Sequence, residues 1–103
     1  MIPGEVWLAD LGIAAKTRPV VVISRRDEDP PRQLVTVVSL TTQNRGSRYE
    51  IDLGRPAFLQ AESFANTQAI QSIPKTRLIR RLGRLDEKQM NDLKNSLRFA
   101  LGL

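Results

Sequence analysis

The chain contains no cysteine and no histidine. The first absence excludes a disulfide framework, a thiolate zinc site, an iron–sulfur cluster and a cysteine nucleophile. The second excludes a Ser-His-Asp triad, an imidazole-bound metal and the acid–base pair usual in a metal-free ribonuclease. Aromatics are scarce: Trp7, Tyr49, Phe58, Phe64 and Phe99. A single-strand stacking platform wants more of them exposed, so most are assigned to the core. No apolar run approaches a membrane span. Residues 6–15 are fairly apolar, but Glu5 precedes them, Asp10 interrupts them and no basic run leads in, unlike a secretory signal. The expected location is the cytoplasm. No GxGxxG, GxxxxGK[ST] or GxSxG motif occurs, which leaves nucleotide hydrolysis and α/β-hydrolase chemistry unsupported.

What is present is basic. The 103 residues carry 16 Lys+Arg against 11 Asp+Glu, a net charge of +5 and a pI near 10.4. Twelve of the sixteen cations are arginine, the residue suited to bidentate phosphate contact and to stacking on bases. An anionic partner is therefore expected, nucleic acid first. The length corresponds to a single domain over 1–103.

The patterning is mainly β. Residues 4–10 (GEVWLAD) read as a first strand, and 11–17 as a loop hinged at Gly12. Arg18-Pro19 leads into Val20, Val21, Val22 and Ile23, a β-branched run without polar alternation that suits a strand buried on both faces. A charged double-proline turn, 25–32, separates it from a second β-rich run at 34–42 (LVTVVSLTT). At 48–53, Tyr49, Ile51 and Leu53 alternate with polar residues as in a half-buried strand. Short strands are expected at 58–62, 64–70 and 82–85, and residues 74–78 fit either a helical turn or a strand. Asp86 as N-cap with Gln89 three residues on forms a variant capping box, and Leu85 with Met90 forms a hydrophobic staple. Met90, Leu93, Leu97 and Leu101 then share one helical stripe, stopped by Gly102. The expected fold is a small, strongly bent sheet or partly open barrel closed by one amphipathic helix. So small a core makes dimerisation a fair expectation.

Several residues are candidates for chemistry. Arg18 precedes proline and so has a restricted, extended backbone that could hold a guanidinium rigidly for a phosphate; the alternative is an ordinary edge arginine. Ser39, Thr41 and Thr42 close a strand and could donate to a phosphoryl oxygen, or could reflect β propensity alone. Residues 63–85 contain no acid but hold Lys75, Arg77, Arg80, Arg81 and Arg84 with Asn66, Gln68 and Gln71, a mixture that suits phosphates and base edges or a solvated surface. Asp10, Glu50, Asp52 and Glu62 are the carboxylates available to a magnesium site, the weaker reading because Glu50 and Asp52 lie on the polar face of a strand.

The order of these elements resembles the MazF/PemK/Kid toxins of bacterial toxin–antitoxin systems. The resemblance rests on PGEVWLADL, TRPVVVIS, VVSLTTQ, NTQAIQSIPKTRL and RLGRLDEKQMNDLKNSLRFALGL, in that order and over nearly the whole chain. It implies an SH3-like small barrel of about five to seven short strands with a C-terminal helix, usually a homodimer. It implies an endoribonuclease that needs no metal or other cofactor and cuts single-stranded RNA at short sequences, leaving 2′,3′-cyclic phosphate and 5′-OH ends. It also implies neutralisation by a small antitoxin with an acidic tail. The family's catalytic arginine and threonine match Arg18 and Thr41, and a glutamine of the RNA groove matches Gln68; Thr42, Gln43, Asn66 and Arg77 are expected to bind RNA beside them. This chain departs from many relatives in its short first loop, LGIAAKT, before the R-P motif, and from some Kid-type relatives in having no histidine there and in Ala65 and Thr67, which stand where those relatives place an arginine and an aspartate. Three other readings remain open: a non-catalytic nucleic-acid-binding module on the same barrel, a gyrase-directed CcdB-like toxin, and a magnesium-dependent nuclease.

Overall fold

The computed structural model describes residues 1–12, 14 and 16–103. Six strands and one helix follow in order: β1 (Glu5–Asp10), β2 (Thr17–Val22), β3 (Leu34–Thr41), β4 (Glu50–Asp52), β5 (Phe64–Pro74), β6 (Leu78–Arg84) and α1 (Glu87–Leu101). The sheet is antiparallel throughout, ordered β4-β5-β3-β2-β1-β6.

This sheet curls strongly, and the β5–β6 link shows why. Only a three-residue 3₁₀ turn, Lys75–Arg77, joins β5 to β6, although β3, β2 and β1 lie between them in the sheet. Four flat strand spacings would need about 19 Å, whereas four residues reach at most about 14 Å. The sheet must therefore bend until its ends approach, and it does so without closing. Mainly β architecture with a C-terminal helix and a partly open, SH3-like barrel is thus the observed class.

The apolar run in β2 is explained by cores on both faces. Val20 and Val22 join Ala9, Val35, Val37 and Ile73 on one side, while Val21 joins Val6, Val38, Leu40 and Leu93 on the other. Helix α1 packs over the second group through β4 and β5. Asp86 accepts from Gln89 N–H at 2.7 Å and donates its own N–H to the Gln89 side chain at 2.9 Å, so the capping box forms. Gly102 ends the helix in the left-handed region at φ 69°. At the helix–sheet seam, buried Thr67 donates to Tyr49 O at 2.7 Å and buried Ser96 donates to Arg48 O at 2.7 Å.

Four expectations need correction. Residues 58–62 form no strand: Leu59 N–H turns back to Pro56 O at 3.0 Å, and Phe58 packs against Gly83. The strand expected at 64–70 runs on to Pro74, because β5 bulges mid-way and then resumes pairing with β3. The last strand begins at Leu78 rather than Leu82, directly after the 3₁₀ turn, because β1 supplies a full-length partner. Leu101 leaves the buried helix stripe and is 49% exposed, as the last residue of α1 before the Gly102 cap.

Candidate active site

The site follows from one missing hydrogen-bond donor. Along β2 and β3, Ile23 N–H donates to Thr36 O at 3.0 Å, and the pairing runs through Val22/Val37 and Val21/Val38 to Val20/Ser39. In an antiparallel ladder the donors on one strand point to the same neighbour at every second residue. Ile23 and Val21 therefore address β3, and so would residue 19. That residue is Pro19, which has no N–H to offer Leu40. Pairing between β2 and β3 ends there.

Beyond that point the two strands are held apart by their outer neighbours. β2 stays with β1 through Pro19/Leu8, Arg18/Ala9 and Thr17/Asp10. β3 stays with β5 through Leu40/Ala65 and Thr41/Phe64. The gap between them is a cleft of about 450 Å³, lined by residues 16–19 on one wall, 40–43 on the other, and Ser63. Continuing the β2–β3 register would set Arg18 opposite Thr41. Both alternate with residues of the same core group, Val20 and Val22 on β2 and Val35 and Val37 on β3, so both project from the same face of the sheet.

The chemistry of the walls is asymmetric. Lys16 and Arg18, both exposed, make one wall cationic, and among the described residues no carboxylate lines the cleft. Lys16 has φ 57°, the one non-glycine residue with positive φ among those described. Its N–H donates to Gly12 O at 2.8 Å and its carbonyl accepts from Leu11 N–H at 3.0 Å, which closes the loop that carries it. On the opposite wall Thr41 Oγ1 accepts from Gln43 N–H at 3.1 Å. That bond turns the hydroxyl so that its proton is directed to an acceptor elsewhere. Beyond Gln43, the Glu50 carboxylate gathers the Ser47 hydroxyl at 2.8 Å and the N–H groups of Arg45 and Ser47 at 3.0 and 3.1 Å. The Ser47 hydroxyl first, then these backbone donors, hold its carboxyl below the usual range. Residues 45–50 are thereby tied down next to the cleft wall.

The structure thus brings together Arg18, Thr41, Thr42 and Gln43, and leaves the other candidates elsewhere. Between the pairs Leu40/Ala65 and Val38/Ile70, β3 advances two residues and β5 advances five, so residues 66–69 form a bulge. Asn66 and Gln68 both sit on it, with Asn66 Oδ1 accepting from Gln68 N–H at 3.1 Å, and neither lines the cleft. Arg77 belongs to the 3₁₀ turn, 3.9 Å from Asp10 at the base of the first loop. Ala65 is in the core and Thr67 faces the helix, so neither position offers a polar group to the cleft. Lys16 and Ser63 were not legible as site residues. Lys16 lies in a loop without a motif, and Ser63 depends on the β3–β5 register.

A family model described as "PemK-like, MazF-like toxin of type II toxin-antitoxin system" matches residues 2–101. The chain belongs to this family of bacterial toxins. It is 31% identical over 99 residues to "Probable endoribonuclease MazF5" of Mycobacterium tuberculosis, covering 95% of this chain and 90% of that protein. Among solved structures, an "Endoribonuclease in complex with its cognate antitoxin from Mycobacterial species" superposes with a TM-score of 0.86 at 27% identity, over 100% of this chain and 96% of that one. "Mycobacterium tuberculosis toxin MazF-mt6" superposes at 0.81 with 30% identity, covering 96% and 97%.

Proposed function

We propose that this chain is an endoribonuclease toxin that cuts single-stranded RNA in the cleft between Arg18 and Thr41. The observation that carries the reading is the fork at Pro19. In a member of the PemK/MazF family, it sets a cation and a hydroxyl donor on facing walls with, among the described residues, no acid between them. RNA supplies its own nucleophile. The 2′-oxygen attacks the adjacent phosphorus, the bond to the 5′-oxygen breaks, and a 2′,3′-cyclic phosphate and a 5′-OH result. Arg18 takes the non-bridging oxygens, where charge grows in the transition state, and Thr41 donates to the same group. The guanidinium carries only N–H donors and no acceptor, so Arg18 acts as a donor. One water takes the 2′-OH proton and a second gives a proton to the departing 5′-oxygen, so no net proton is gained or lost. Lys16, Thr42 and Gln43 bind the strand next to the scissile phosphate. Asn66, Gln68 and Arg77 bind it further along the same basic domain. No metal or other cofactor is required in this scheme.

The likeness to an endoribonuclease solved with its antitoxin supports a small acidic antitoxin as the partner here, matched to the charge of +5. The active form is a cytoplasmic homodimer of this single-domain chain. Among the described residues no helix is long and apolar enough to cross a membrane.

The test is incubation of a long single-stranded RNA with wild type and Arg18→Ala in EDTA, with the ends mapped. Cuts at a few short sequences bearing 2′,3′-cyclic phosphates, lost in the variant, are expected. A 3′-OH with a 5′-phosphate, or cleavage abolished by EDTA, would overturn the mechanism. The absence of a histidine or a paired carboxylate from the cleft favours one second reading, a binding module without catalysis. Salt-sensitive RNA binding by the folded protein without any cleavage would identify it.

A further inference from the structure

A second recess opens directly from the cleft, sharing Pro19, Thr42 and Ser63 with it. It holds about 390 Å³, within the range of small-molecule sites. Leu8, Phe58 and Leu82 supply apolar walls, while Gln60 and Arg80 bring polar ends to it. The walls are fixed from behind. A Cβ at Gly83 would lie 2.4 Å from Cδ2 of Phe58. Residue 83 does not have positive φ, so glycine there serves to admit the ring. The loop that carries Phe58 and Gln60 is closed on itself by Ser63 N–H to Gly54 O at 2.9 Å, Leu59 N–H to Pro56 O at 3.0 Å and Ser63 Oγ to Ala61 O at 3.0 Å.

This combination suits a flat, partly apolar group and not a phosphate, whose charge would be desolvated against Leu8 and Leu82. Phosphates belong to the cationic cleft next door. Arg80 can only donate, whereas the Gln60 amide both donates and accepts. The neighbouring cations Arg77 and Arg81 are paired with Asp10 and Glu5, while Arg80 makes no ion pair among the described residues. We propose that the recess is a nucleobase subsite next to the scissile phosphate, and that it selects uracil or guanine. Those two bases carry a carbonyl beside a ring N–H on the Watson–Crick edge. Arg80 donates to the carbonyl and the Gln60 amide oxygen accepts the N–H. Adenine lacks the carbonyl, and cytosine lacks the ring N–H. The inference rests on an RNA strand occupying the cleft.

The experiment separates the two claims. Wild type, Gln60→Ala, Arg80→Ala and a charge-loss control, Lys94→Ala, are each used to select from a random single-stranded pool of 2′-O-methyl RNA. This pool lacks the nucleophile and reports binding whether or not the protein cuts. The same proteins are then given unmodified RNA. Wild type should show one position enriched in U or G. Gln60→Ala and Arg80→Ala should each flatten that position by about five- to a hundredfold, while Lys94→Ala keeps the wild-type profile. Melting curves confirm that the variants fold, and Gln60 is exposed enough that its truncation leaves packing intact. The subsite is refuted if the wild type has no base preference, if both variants keep it, or if affinity falls evenly at all positions. Failure to cut unmodified RNA overturns the ribonuclease reading alone, since the binding profile still decides the subsite.

Discussion

Gly83→Ala is the sharpest test of how this sheet is packed. Alanine is ordinarily better than glycine in a strand by about 0.5–1 kcal/mol, because it restricts the unfolded chain. Nothing in the backbone of residue 83 opposes it, since its φ is not positive. The opposing effect is steric: the new Cβ would stand 2.4, 2.6 and 2.7 Å from Cδ2, Cγ and Cε2 of Phe58. Those three atoms belong to one rigid ring, so the contact cannot be relieved by turning a flexible tip. The whole ring must move by about 1 Å to reach ordinary contact, and Phe58 packs against the helix-side core. Overpacking of this kind costs about 1–3 kcal/mol. The net expectation is a loss on the order of 1–2 kcal/mol, or a fall in Tm of roughly 5–15 °C for a domain of this size. Urea and thermal unfolding of the single variants and of Phe58→Ala/Gly83→Ala complete a cycle. Once the ring is removed, the same Gly83→Ala change should become neutral or stabilising. If it destabilises equally in both backgrounds, the ring is not what glycine accommodates, and the fixed wall of the recess loses its basis.

Other consequences can be measured directly. Arg18→Ala and Thr41→Val should each lower the RNA cleavage rate by about a hundred- to thousandfold with unchanged melting curves; a loss of fold in either would remove the evidence for a catalytic role. Ser96→Ala removes the donor of the part-buried bond to Arg48 O and should cost about 0.5–1.5 kcal/mol in urea unfolding. Asp86→Ala removes the helix N-cap and should cost about 0.5–2 kcal/mol. For Glu5, burial pushes the carboxyl upward. The Ile2 N–H, the Trp7 indole, the terminal ammonium and Arg81 overcome burial and set it below its ordinary 4.5. A depressed folded value means that this stabilisation is present above pH 4.5 and is lost as pH falls through the lower folded value. The acid limb of a stability–pH curve should therefore be shallower in Glu5→Gln, and parallel limbs would refute the assignment.

The parts of the fold that could be read in advance were those specified by local chemistry. The capping box at Asp86 and Gln89 is a contact between residues three apart, and the double burial of β2 is written in Val20, Val21 and Val22. The alternation of Tyr49, Ile51 and Leu53 also placed β4. The residues from 58 to 78 were harder because their structure is set by partners far along the chain. Phe58 looks like a strand residue until Gly83 is known to lie against it, and β5 extends to Pro74 only because β3 accepts it on both sides of a bulge. The site divides in the same way. Arg18 is marked by the proline after it and Thr41 by its strand end. The register of β3 against β5 decides that Ser63 enters the cleft and that Asn66 and Gln68 do not, and a pattern of side-chain types carries no information about that register.

The fork at Pro19 links fold to function closely enough to be tested by restoring what proline removes. Pro19→Ala returns the N–H that the ladder directs at Leu40 O. A non-proline residue can adopt the same extended backbone, so the change imposes no strain. If the missing donor keeps the cleft open, the new amide should pair with Leu40 and extend the β2–β3 ladder by one rung. Amide hydrogen exchange would then find residue 19 protected and the protein as stable as wild type or more so. RNA cleavage should fall in the same variant, because Arg18 and Thr41 would be drawn towards direct cross-strand contact, leaving no room for a phosphate between them. A rapidly exchanging amide at 19 with full activity would show that β1 and β5 hold the strands apart unaided. A protected amide with full activity would be more damaging, since the cleft between Arg18 and Thr41 would then not be where the RNA is cut.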